Sequence, residues 1–199
     1  MYNAYPPEAE APHVRGLGQC NWPIQMHIRY YLCPMSEKIR LLDAQQVKQR
    51  LTRLAYEIVE RNLDRGQVDL VGVVDRGLVM AKLLKQEIET IGGVEVGLYA
   101  LHIDKACPVD PRIEPALDPK GRNLILVDDV ANSGRTLTYA LAPLLKAPAD
   151  RIQVAVLIDR QHKQFPVASD YAGLQLSTTA QDHITVDVSK GKISGAFIE

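Results

Sequence analysis

The run Leu124-Ile125-Leu126-Val127-Asp128-Asp129-Val130-Ala131-Asn132-Ser133-Gly134-Arg135-Thr136 concentrates the chemistry of this chain. Leu124 to Val127 reads as a buried strand that carries Asp128 and Asp129 to a sheet edge. Asp128 to Arg135 then reads as a turn, broken by Gly134, and Thr136 to about Leu145 as a helix. Consecutive backbone N–H groups in such a turn, aided by the positive end of a helix, make a nest for an anion, and phosphate is the natural guest. Two carboxylates beside a phosphate repel it unless a divalent cation with hard oxygen ligands intervenes or sugar hydroxyls donate to them. A ribose 5-phosphate together with Mg2+ meets both demands. The same pattern also occurs as a cap with a solvated loop, and spacing alone leaves that alternative open. A Walker-type loop is excluded, because no GxxxxGK run is present.

Three further groups belong near that edge. Arg76 follows an apolar run and is followed by Gly77, which lets the backbone turn toward an anion; a diphosphate needs donors from such a second loop. A surface arginine paired with Asp75 or a helix carboxylate is the competing account. His102, Lys105 and Arg112 lie on or beside a proline-rich segment and either close over a substrate or face solvent. Asp159-Arg160 ends another apolar run, and Phe165 after it packs against a ligand ring or into the core.

The elements that must position these residues alternate. Asp43 and Gln46 form a capping box ahead of Val47, Leu51, Leu54, Ala55, Ile58 and Val59, an amphipathic helix ending near Asn62. Val68 to Val74 suits a strand covered on both faces, and Leu78, Met80, Ala81, Leu84 and Ile88 continue as a helix. Val94 to Ile103 and Ile152 to Ile158 read as further strands. Between them Pro108, Pro111, Pro115 and Pro119 predict a long irregular segment of the kind that serves as a lid or binding loop. The alternation predicts an α/β fold with a mainly parallel central sheet flanked by helices, its ligand at the carboxyl ends of the strands. Residues 1–38 differ, with five prolines and poor alternation, and are expected to be an N-terminal extension to a domain spanning 39–199. Within them, Gln25 to Leu32 suits one strand or an arm.

The bulk composition narrows the partners. The chain has 199 residues, 46% hydrophobic and 24% charged, which argues one globular domain and excludes disorder. Its 23 basic against 24 acidic residues give a net charge of -1, so no whole-chain positive field draws nucleic acid or an anionic membrane. Three cysteines without a CxxC argue against a disulfide framework or zinc knuckle. No long apolar stretch or signal-peptide order is present, so no membrane partner and a cytoplasmic location are expected.

Several segments together resemble the type I phosphoribosyltransferase family, and within it the pyrimidine operon attenuation regulators that are also uracil phosphoribosyltransferases. They are Leu51-Thr52-Arg53 with Glu60-Arg61-Asn62, Arg76-Gly77, Val127-Asp128-Asp129 with Gly134-Arg135-Thr136, Val156 to Arg160, His162, Pro166 and Asp170-Tyr171. The resemblance spans roughly residues 39 to 190. It implies the type I fold, with a flexible loop and a small hood. It also implies that Asp128 and Asp129 hold the ribose hydroxyls of 5-phosphoribosyl 1-diphosphate. Ala131, Asn132, Ser133, Gly134, Arg135 and Thr136 would cradle the 5-phosphate, Arg76 and Gly77 would meet the diphosphate, and Asp159, Arg160 and Phe165 would frame the base. Mg2+ would be held by Asp128 and Asp129 chiefly through substrate and water. The implied reaction joins uracil to the sugar, giving UMP and diphosphate, in a homodimer or higher homo-oligomer that also binds messenger RNA.

Three departures bear on that expectation. Tyr99 is followed by Ala100-Leu101-His102, where uracil-using relatives carry an Arg-Asp-Asp run, so Lys105 or Arg112 must substitute or catalysis weakens. Asn132 stands where purine-using relatives often have an aspartate as base, and an amide cannot take that proton. Ala172-Gly173-Leu174-Gln175-Leu176-Ser177 contains a leucine where relatives commonly have a lysine, which costs an RNA phosphate contact. Uracil phosphoribosyl transfer with RNA-binding regulation is the leading expectation. The alternatives are a catalytically weak or inactive nucleotide-sensing RNA-binding regulator and a phosphoribosyltransferase for another base.

Overall fold

Residues 38–161, 163–178 and 182–199 are described by a computed structural model. Asp43 opens the first helix, α1 (Ala44–Asn62), by accepting from the Gln46 N–H at 2.8 Å, while the Gln46 side chain accepts from the Asp43 N–H at 2.9 Å. Two of the four N–H groups that a helix start leaves unpaired are thereby satisfied. The expected apolar stripe from Val47 to Val59 is the buried face. The second helix, α2 (Arg76–Ile91), buries Gly77, Met80, Ala81, Leu84 and Ile88 and stops at Gly92, whose N–H caps Ile88.

Ahead of α1 runs β1 (Ile39–Asp43), and β2 (Gln67–Val73) precedes α2. The chain continues through β3 (Glu95–His102), β4 (Arg112–Glu114), β5 (Asn123–Ala131), α3 (Arg135–Ala140), a 3₁₀ turn (Ala142–Leu145), β6 (Arg151–Arg160) and β7 (Tyr171–Leu176). β8 (Ile184–Ser189) and β9 (Lys192–Ile198) complete it. Six strands form the central sheet in the order β4-β3-β2-β5-β6-β7, parallel except for β4. β2, β5 and β6 are buried almost throughout, as continuous apolar strands covered on both faces must be. α1 and α2 cover one face, and Leu137, Ala140 and Leu144 pack on the other with Val71, Val73 and Leu126. A second sheet, β1-β9-β8, is antiparallel and lies against the two long helices.

The element boundaries differ from expectation in three places. β5 runs on through Asp128-Asp129 to Ala131, so the acid pair is strand and not turn, and β6 takes in Asp159-Arg160 at its carboxyl end. The helix expected to reach Leu145 ends as α3 at Ala140 and gives way to the 3₁₀ turn. Pro143 sits inside that turn, where it has no N–H for an α-helical bond. The proline-rich segment is not wholly irregular, since β4 pairs with the end of β3. The N-terminal extension and its expected arm lie outside the described residues, Lys38 excepted. Among the described residues no helix is long and apolar enough to cross a membrane.

Candidate functional site

β2 is paired with β3 on one side and β5 on the other, so the chain reverses its direction of travel across the sheet between β2 and β5. Crevices at such reversals are where open parallel sheets take ligands. Pairing of β5 to β2 ends at Val127, opposite Gly72, whereas pairing to β6 continues to Ala131, opposite Asp159. The last turn of β5 therefore stands clear of β2. Into the space above it comes the start of α2. A Cβ on Gly77 would lie 2.6 Å from the Val127 carbonyl oxygen and 2.9 Å from the Asp128 Cα, so only glycine lets α2 close on the strand there.

Asp128 and Asp129 are 3% and 5% exposed, and the Asp129 N–H donates to Asp128 Oδ1 at 2.9 Å. Arg76, the first residue of α2, brings Nη1 within 3.8 Å of Asp129 Oδ2 while remaining half-exposed. Its partner is thus Asp129 and not the neighbouring Asp75. Burial pushes the Asp128 carboxyl well above the usual carboxylate range, and the charge of Asp129 adds to the effect. The positive charge of Lys105 acts in the opposite direction. Such a pair, buried with one loose cation, calls for hydroxyl donors or a metal ion. Among the described residues no group of three or more His, Cys, Asp or Glu is placed to hold a metal. Two carboxylates completed by phosphate and water fit Mg2+, which is seldom caged by protein alone.

The structure separates the three loop candidates. Arg112 sits on β4 opposite His102 and pairs with Asp110 at 2.7 Å, and His102 Nε2 lies 3.6 Å from Glu114. Both line a cavity of about 360 Å³ with Val74, Asp75, Ile103, Asp104 and Asp110. Of the three, Lys105 is the one whose positive charge opposes the rise of the Asp128 carboxyl.

Val130 to Leu137 line a second cavity of about 40 Å³. Its bend rests on Gly134, which has φ +81 and would drive a Cβ to 2.7 Å from Val167. α3 is only six residues long, so any anion seated here would rest on the loop N–H groups more than on the dipole of a helix. Arg135 N–H donates to Ser133 Oγ at 3.3 Å. The segment after β6 is strapped to this loop, since Gln164 and Phe165 N–H donate to the Ser133 carbonyl at 3.0 and 3.1 Å. Asp159, 7% exposed, pairs with Lys163, and Arg160 donates to Asn132 Oδ1. Phe165 is half-buried with its ring 6.4 Å from that of Tyr139. Lys163 and the Ser133 strap are features sequence reasoning missed, although a basic residue just beyond Asp159 was a visible signal. His162 lies outside the described residues.

The model of the phosphoribosyl transferase domain matches residues 39–189. A "Bifunctional protein PyrR" from Trichormus variabilis is 38% identical over 158 residues, covering 74% of this chain and 87% of that protein. The "Pyrimidine operon regulatory protein" of Lactococcus lactis is 34% identical over 157 residues, covering 75% and 90%. The hypoxanthine phosphoribosyltransferase of Trypanosoma cruzi superposes with a TM-score of 0.68 over 80% of this chain and 94% of that one, at 13% identity, a likeness of fold alone. With the buried acid pair, the loop behind it and the β2–β5 crevice in one place, the chain belongs to the type I phosphoribosyltransferase family, alongside the pyrimidine operon regulatory proteins it matches over three quarters of its length.

Proposed function

We propose that this protein is a nucleotide-sensing regulator of pyrimidine genes whose pocket takes 5-phosphoribosyl 1-diphosphate or UMP and whose occupancy governs contact with messenger RNA. Residues 39–199 form the phosphoribosyltransferase unit, and 1–38 are an extension to it. One observation carries the ligand class: Asp128 and Asp129 are buried beside the 131–136 loop with, among the described residues, only Arg76 in ion-pair contact, an arrangement that sugar hydroxyls and a phosphate complete. The relatives' names supply the pyrimidine operon. The outward side of α1 offers Lys48 and the exposed ring of Tyr56, a cation and a stacking platform suited to unpaired RNA. As the resemblance implies, the unit works as a homodimer or higher homo-oligomer.

Uracil phosphoribosyl transfer is the second reading, and the action of Lys105 on Asp128 favours it. In that reaction N1 of uracil bonds to C1 of the ribose, the bond from C1 to diphosphate breaks, and the N1 proton passes to solvent. Asp128 and Asp129 would fix the ribose hydroxyls, the 131–136 N–H groups the 5-phosphate, and Arg76 the departing oxygens. Positive charge developing at C1 would then meet carboxylates already in place. Mg2+, held by Asp128 and Asp129 through water and by the diphosphate, would neutralise the leaving oxygens. Loss of the arginine after Tyr99 sets this activity below binding.

The deciding experiment measures uracil-dependent diphosphate release with Mg2+ beside titrations of UMP and of a pyrimidine leader RNA. UMP binding that alters RNA affinity, with slow turnover, is the expected result. Fast uracil-dependent turnover without RNA binding would establish the second reading instead. If Asp128→Asn with Asp129→Asn binds 5-phosphoribosyl 1-diphosphate and UMP as well as the unaltered protein does, the pocket assignment is wrong.

A further inference from the structure

We propose that Lys163 is a positioning residue for the phosphate end of the pocket: paired with Asp159, it holds the chain after β6 against Ser133 and so turns the Gly134 N–H toward the cavity of the 131–136 loop. The inference rests on the nucleotide-pocket reading above and goes beyond it in naming what orients a phosphate donor. Lys163 Nζ lies 2.5 Å from Asp159 Oδ1, with the two side chains 15% and 10% exposed. That oxygen is buried and accepts no hydrogen bond among the described residues, so the ion pair is what meets its charge. The stem of Lys163 crosses the bend of the loop, its Cδ 3.5 Å from where a Cβ on Gly134 would stand. Immediately after it, the Gln164 and Phe165 N–H groups both donate to the Ser133 carbonyl.

The peptide joining Ser133 to Gly134 is trans and planar, so its C=O and N–H point in opposite directions. With the carbonyl held by the strap, the Gly134 N–H faces away from the strap. Residues 130–137 line the cavity and the strap lines none of it, so this N–H is directed to the side where an anion would sit. Holding a loop in its bound conformation raises affinity by removing the cost of ordering it. Lys163 thus serves the phosphate without touching it, its charge being engaged by Asp159. A direct contact between Lys163 and the phosphate would answer oppositely to Asp159→Asn, because freeing the ammonium would strengthen anion binding.

The test titrates ribose 5-phosphate and UMP into the full chain and into Lys163→Met, Lys163→Arg and Asp159→Asn, and follows amide hydrogen exchange in each. Lys163→Met keeps the stem over Gly134 and removes the charge. It should weaken both ligands in parallel by about tenfold, the low end of what one hydrogen bond to a charged group supplies. Lys163→Arg restores the ion pair and should recover the affinity. Asp159→Asn should weaken ribose 5-phosphate as Lys163→Met does. In both weakened variants the Gln164 and Phe165 amides should exchange faster while the amides of β5 keep their protection. Tighter ribose 5-phosphate binding in Asp159→Asn, a loss confined to UMP, no recovery in Lys163→Arg, or unchanged exchange at Gln164 and Phe165 overturns the inference. Loss of protection that extends through β5 assigns the pair to stability and overturns it too. All of these leave the pocket reading standing. An unaltered protein that binds neither ribose 5-phosphate nor UMP overturns both.

Discussion

Folding places Asp128 where its charge is disfavoured, by burial first and by Asp129 second. An unfolded aspartate titrates near pH 4. From there upward through the raised folded value, the folded state binds more protons than the unfolded one, so stability falls as pH rises across that window. Below the window both states are protonated at this residue and the effect disappears. Asp128→Asn should therefore raise the melting temperature near neutral pH and flatten the decline, which thermal melts between about pH 4 and 8 would record. A lowered melting temperature would mean that the carboxylate is well paired in the free protein. Lys105 is the second residue to test. Lys105→Ala should slow single-turnover transfer by about tenfold, equivalent to about 1.4 kcal/mol, and leave UMP affinity nearly unchanged. Arg112→Ala should do little, because Arg112 is already held by Asp110 on β4. The opposite ranking would return the role to Arg112.

Among the elements, those with one clear signal were legible in the sequence. α1 carried both its cap and its stripe, and β2, β5 and β6 were apolar runs whose cores were placed correctly. The carboxyl end of β5 was not, because Asp128 and Asp129 resemble turn formers in isolation, while the β5–β6 ladder holds the strand through to Ala131. β7 was missed as well: Gly173 interrupts it, and that glycine is needed because a Cβ would come within 2.6 Å of the Leu157 carbonyl oxygen. The acid pair and the loop behind it could be read from residue types, but the ties from Arg160 to Asn132 and from Ser133 to the segment after β6 depend on register that no local pattern encodes. Gly134→Ala should show how much the loop stores. Its positive φ and the approach of Val167 predict a loss of about 1–3 kcal/mol in a urea titration, with weaker UMP binding. A neutral result would show that the loop relaxes freely.

At the scale of the whole molecule, buried polar side chains connect the layers. Tyr171 on β7 is fully buried and donates to Gln153 on β6 at 3.2 Å. Asn62 at the end of α1 donates to the same hydroxyl at 3.2 Å, and Asn123 on β5 donates to Asn62 at 2.6 Å. Tyr171→Phe strips two buried amides of a partner and should cost about 1–3 kcal/mol in urea unfolding, with UMP affinity preserved in the remaining folded protein. A loss below about 0.5 kcal/mol would show that the amides find other partners. The small sheet carries a consequence for synthesis. β1 pairs with β9, and Asp43, which caps α1, lies opposite Gly195, although roughly 150 residues separate the two strands along the chain. Every strand of the six-stranded sheet leaves the ribosome before β9 does. The β2–β5 crevice can therefore assemble on the nascent chain while β1 still waits for its partner, and during that interval its unpaired edge is what a chaperone would meet.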